Sequence, residues 1–121
     1  MIHFKPEEFN CRCNYNCGLG FNQMDIHLLD NLDAARTIAA VPFVITSAIR
    51  CSQHNSDVGG KENSSHLLGK AIDIVCNNST DRYIIIKALV KVMLPRIGIG
   101  KDFIHIDMDL TKPHPIIFTY Y

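Results

Sequence analysis

Residues 64–75 read SSHLLGKAIDIV, and this stretch decides the architecture. Its second half alternates: Ile72 and Ile74 belong on one face of a strand, Ala71 and Asp73 on the other. The first half does not alternate and ends at Gly69. A continuous helix would also place His66 and Asp73 on one side, because they are seven residues apart. Strand character after Gly69 favours a turn that folds His66 back beside Asp73 instead.

Working outward, Phe43–Thr46 is short and β-rich and reads as a strand ahead of a long polar loop over residues 50–65. Long loops inside compact domains are usually functional. Before it, Leu28, Leu29, Leu32, Ala35 and Ala39 keep helical spacing, with Asp25 at the start and Pro42 beyond the end. After it, Ser79-Thr80-Asp81 signals a helix start, and Ile84, Ile85, Ala88, Leu89 and Val92 form a second apolar stripe closed by Pro95. Ile97–Gly100 is a tight apolar and glycine stretch, and Phe103–Met108 and Ile116–Thr119 read as two further strands. Residues 1–24 lack periodicity and read as an irregular N-terminal segment. The expected class is α+β, with a small, mostly antiparallel sheet flanked by helices. No repeat or linker divides residues 1–121, which are expected to form a single domain acting as a monomer.

The 121 residues are 47% hydrophobic and 20% charged, ordinary for a globular chain and too apolar for a disordered one. Twelve basic residues balance twelve acidic ones, which removes the electrostatic case for nucleic acid or an anionic membrane surface. No apolar run reaches the roughly 18 residues of a membrane span. The first residues, MIHFKPEE, carry no apolar signal core, so the chain is expected to stay in the cytoplasm where it is made until released. Five cysteines, an odd number without an export signal, fit a reducing compartment. Cys11, Cys13 and Cys17 cluster, but no second Cys/His pair follows nearby. They read as reduced thiols in a loop, with a metal knuckle as the alternative.

Two stretches concentrate chemistry. His66 and Asp73 offer an imidazole nitrogen and a carboxylate oxygen, both ordinary zinc ligands. Lys101–Asp107 reads KDFIHID, and there His105 and Asp107 share a strand face, with Asp102 just ahead. Ionisable groups on an otherwise apolar strand need a partner or a role. His66, Asp73 and His105 together make two imidazoles and one carboxylate, a set that leaves a fourth zinc position open for water. Zinc lowers the pKa of such a water to about 7. Asp102 is the candidate proton acceptor, and Asp107 the acceptor for a ligand's outer ring N–H. Arg50 opens the polar loop at the end of a strand, where a guanidinium can bind a carboxylate or polarise a carbonyl. His54 in the same loop is a candidate substrate contact, whereas His3, His27 and His114 read as surface residues.

Residues 45–73, ITSAIRCSQHNSDVGGKENSSHLLGKAID, resemble the zinc D-Ala-D-Ala carboxypeptidase family, which includes D-alanyl-D-alanine dipeptidases and the L-alanyl-D-glutamate endolysins of bacteriophages. The shared pattern is S-x-H-x-x-G-x-A-x-D, then an acid three residues before a second histidine. Here it falls on Ser64, His66, Gly69, Ala71 and Asp73, then Asp102 and His105, with Asp107 following. The resemblance covers almost the whole chain. It implies zinc on His66, Asp73 and His105, Asp102 as catalytic base, Arg50 on the substrate or oxyanion, and Ser64 holding the substrate. It implies amide hydrolysis in peptides of bacterial peptidoglycan. The fold also resembles the zinc-bearing domain of hedgehog proteins, so a non-catalytic zinc module is the rival reading. Asp102 and Arg50 argue against that rival.

Overall fold

The computed structural model describes residues 1–121. Its regular elements are α1 (Ile26–Ala39), β1 (Ile45–Ser47), α2 (Ser52–Asp57), β2 (Ala71–Val75), α3 (Ser79–Lys91), β3 (Arg96–Ile99), β4 (Phe103–Asp107) and β5 (Ile116–Thr119). The five strands form one sheet in the order β1-β2-β4-β3-β5. Every neighbouring pair is antiparallel except β3 and β5. The chain is α+β, with a mostly antiparallel sheet as its residue pattern requires.

Alternation sorts the sheet's two faces. Ile72, Ile74, Ile104 and Ile106 are fully buried, as are Leu28, Leu32 and Leu89 of the helices, and all join one apolar core. Burying a side chain of this size contributes about 1.5–3 kcal/mol, which makes this core the main support for the sheet. The opposite face carries Asp73 opposite His105, and Asp107 opposite both Ala71 and Arg96. The apolar face therefore anchors β2 and β4 while their polar residues are left for chemistry.

The two long helices, α1 and α3, begin with side-chain caps. Asp25 accepts a hydrogen bond from Leu28 N at 3.0 Å, and Asn78 accepts one from Asp81 N at 2.8 Å. The second cap lies one residue before the predicted start signal. Three other segments differ from the sequence reading. Residues 50–65 are not all loop, because α2 occupies Ser52–Asp57, a polar helix without an apolar stripe to betray it. Ile97–Gly100 supplies most of β3, where Gly98 within the strand and Gly100 just beyond it hide the strand character. The N-terminal segment forms 3-10 turns at Pro6–Phe9 and Phe21–Gln23 and inserts Phe9 fully into the core, against Phe4 and Phe21.

The turn before β2 is a 3-10 turn, Ser65–Leu68, closed by Gly69 at φ +68°. Gly69 O accepts a bond from Asp25 N at 2.9 Å, tying this turn to the start of α1. A Cβ on Gly69 would lie 2.2 Å from Gln23 O. Gly69→Ala thus combines left-handed strain, about 1–3 kcal/mol by itself, with a backbone clash. A denaturant-unfolding midpoint well below wild type is expected, and an unchanged midpoint would contradict this packing.

Candidate metal centre and active-site cleft

His66 is placed by the 3-10 turn, Asp73 by β2 and His105 by β4, and their ligand atoms all lie within 4.8 Å of one another. His66 Nδ1 donates to Ala48 O at 2.7 Å. A carbonyl only accepts, so an Nδ1 proton is fixed there, and Nε2 points at Asp73 Oδ2 at 3.3 Å. On the other side of the carboxylate, His105 Nδ1 lies 2.9 Å from Asp73 Oδ1. The outer nitrogen of His105, Nε2, donates to Asp107 Oδ2 at 2.7 Å. Asp107 is itself held by Arg96 Nε at 2.8 Å. Each imidazole thus has its outer N–H fixed by an acceptor and its inner nitrogen turned to a common point, as metal-binding histidines are oriented.

The charge balance favours a cation at that point. Burial would raise the pKa of Asp73, but hydrogen bonds from His105 and His66 outweigh it and hold the carboxyl well below the usual range. Burial opposes a charge on His105, yet its bonds to Asp107 and Asp73 dominate and raise its pKa. Two carboxylates facing one buried imidazole call for positive charge, and the donor set of two nitrogens and an oxygen suits zinc.

A cleft of about 440 Å³ opens over these residues. Arg50 lines it, with Nη2 3.6 Å from Asp73 Oδ2. Its guanidinium is oriented by Ser47 Oγ at 3.1 Å and by Asn55 Oδ1 at 3.2 Å. Ser64 also lines the cleft and accepts a bond from His66 N at 3.3 Å, so it shapes the ligand turn as well. Phe103, Phe118 and Tyr120 form the aromatic wall. Partial burial, together with the charges of Asp73 and Asp107, pushes the Tyr120 hydroxyl up to about 12 and keeps it a neutral donor. Gly98 faces His105 across the sheet, and a Cβ there would lie 2.7 Å from the Phe118 and Tyr120 rings.

Two sequence-predicted residues lie outside this cleft. Asp102 is exposed and lines a neighbouring depression that shares Asp73 and Phe103 with the cleft. His54 does not line the cleft, because α2 presents the next residue, buried Asn55, to Arg50. Lys112, in the segment between β4 and β5, also lines the cleft, and Pro113–Pro115 do not.

The sequence reading missed Asn55, Arg96 and a network around Asp109. Asp109 Oδ2 accepts from Ser65 Oγ at 2.8 Å, and Lys112 Nζ donates to the same Ser65 Oγ at 2.8 Å. The network pins the turn carrying His66 to the chain after β4. A signal for it existed, since His105, Asp107 and Asp109 continue one period-two register. Arg96 and Asn55 left none, because each depends on a pairing visible only in three dimensions. Burial raises the Asp109 carboxyl, but bonds from Thr111 and Ser65 outweigh this and hold it down at about 2. Its unfolded pKa is about 3.9. Its stabilisation is therefore complete above about pH 4 and lost as pH falls toward 2, on the order of 2 kcal/mol. Asp109→Asn should flatten stability against pH in that window, measured by denaturant unfolding, and a curve matching wild type would contradict the assignment.

A family model described as peptidase M15 matches residues 2–107. The chain belongs to the peptidase M15 family. A search of curated proteins found no match. The matched part of this M15 chain holds all three candidate metal ligands, Arg50, Asp102 and Asp107, and stops short of Asp109 and Lys112. No helix is long and apolar enough to cross a membrane.

Proposed function

We propose that this M15 chain is a zinc peptidase that hydrolyses an amide bond in the stem peptides or cross-links of bacterial peptidoglycan. The observation that carries the reading is the convergence of His66 Nε2, Asp73 and His105 Nδ1, with each outer ring nitrogen already held. Zinc bound by these three would supply a Lewis acid that polarises the scissile carbonyl and lowers the pKa of a water to about 7. Arg50, fixed beside Asp73 by Ser47 and Asn55, faces the oxygen that gains charge as the carbonyl is attacked. Asp102 takes the proton of the attacking water and returns it to the departing amine. Asp107 is occupied by His105 and Arg96, and Asp73 by both imidazoles, whereas Asp102 lines the depression that adjoins the cleft at Asp73 and Phe103 and has no such partner. Ser64 and the aromatic wall hold the peptide.

The cleft's charges support the substrate class. Arg50, Lys61, Arg96 and Lys112 line it against Asp73 and Asp107. With a metal neutralising Asp73, the lining is cationic, and peptidoglycan peptides carry free carboxylates. In this reading the chain works as a monomer, stays cytoplasmic until released, and then acts on the wall. Chelating the metal should abolish cleavage of a synthetic stem peptide, and added zinc should restore it. Cleavage that survives complete metal removal would overturn the proposal.

A further inference from the structure

The structure joins to the N-terminal cysteines a residue that the sequence leaves far away. Cys11, Cys13, Cys17 and Cys51 place their four sulfurs within 4.8 Å of one another. We infer that these four cysteines form a second, structural zinc site, independent of the cleft.

Three observations converge on this. First, four thiolates around zinc at about 2.3 Å sit about 3.8 Å apart, so the observed cluster needs only a small contraction to become tetrahedral. All four cysteines are unpaired and half-buried. Second, three of the four sulfurs accept a backbone N–H, leaving their lone pairs oriented by the loop rather than free. Cys51 N donates to Cys11 Sγ at 3.3 Å, Leu19 N to Cys17 Sγ at 3.4 Å, and His54 N to Cys51 Sγ at 3.4 Å. Third, residues 10–20 contain no helix or strand and are tied to themselves by little more than Cys11 N to Leu19 O at 3.0 Å. Such a segment keeps a defined shape when a metal cross-links it, and metal binding then contributes directly to folding. Arg12, beside Cys11, supplies a positive charge next to the anionic cluster. The set is closed, with four protein ligands and no position left for a substrate, which marks a structural site.

The position gives the site a consequence. Cys51 directly follows Arg50 and caps α2, the helix that carries Asn55 to the Arg50 guanidinium. Metal at the cluster would fasten the N-terminal segment to the loop that aims Arg50 into the cleft. Binding would release the remaining thiol protons to solvent.

Elemental analysis of the full chain refolded with zinc tests this. Wild type should hold two zinc ions per chain. Asp73→Asn should hold one, and with cobalt in place of zinc it should show intense sulfur-to-metal charge transfer in the near ultraviolet. Cys13→Ser with Cys51→Ser should lose the cluster's metal, whereas Cys76→Ser, at the buried thiol outside the cluster, should keep both ions. If the double variant fails to fold, the cobalt spectrum of Asp73→Asn decides alone. Absence of that charge transfer would overturn the site. So would four cluster thiols reacting freely in zinc-loaded native protein, or a mass deficit showing that they have formed disulfides. None of these outcomes depends on peptidase activity.

Discussion

Asp73→Asn is expected to remove the metal from the cleft and abolish hydrolysis while leaving the fold in place. Asp73 is the only carboxylate among the three candidate ligands. It faces His105 Nδ1 at 2.9 Å, His66 Nε2 at 3.3 Å and Arg50 Nη2 at 3.6 Å. The amide keeps the shape but removes the negative charge, so the two imidazoles and the guanidinium lose their common counter-charge. Losing a partner outside the ligand set typically costs about 10–100-fold in metal affinity or activity, and loss of a ligand should cost more. The expected result is a drop of one zinc per chain by elemental analysis, with hydrolysis below detection. Unchanged zinc content would show that the three residues do not bind it.

Asp102→Ala is expected to stop turnover with zinc content and stability unchanged. Asp102 is exposed, and the hydrogen bond it makes with Cys76 N uses its backbone carbonyl, which alanine retains. Exposed substitutions of this kind usually change stability by no more than about 0.5 kcal/mol. A general acid–base contributes about 10²–10⁴-fold. The rate should fall by that factor while the metal stays bound, which separates Asp102 from the ligands. Because its depression meets the cleft at Asp73 and Phe103, the test also asks whether the acid reaches the reacting water. Activity equal to wild type would remove Asp102 from the mechanism and leave Arg50 and the ligand set to be considered without it.

Much of the site is legible in the chain because a strand's period of two is unambiguous. Alternation across residues 71–75 and 103–107 separates Ile72, Ile74, Ile104 and Ile106 from Asp73, His105 and Asp107, and the structure keeps that division. The apolar stripes of α1 and α3 and the Asp25 cap are legible for the same local reason. What is hidden depends on contacts between distant segments. The Arg96–Asp107 ion pair requires knowing that β3 lies beside β4, and Gly98 within β3 and Gly100 just after it conceal even the strand. Asn55 reaches Arg50 only because α2 forms in a polar stretch with no stripe. Cys51 lies 34 residues beyond Cys17 in the chain, so a search for a nearby fourth ligand stops too early.

The proposed cleavage of wall peptides at the His66, Asp73 and His105 centre is tested most directly by product mass spectrometry on purified peptidoglycan. Zinc-loaded wild type should release fragments with one new amine and one new carboxyl per bond cut, and Asp73→Asn should release none. The masses would also name the bond. Absence of product from folded, zinc-replete wild type would contradict the account.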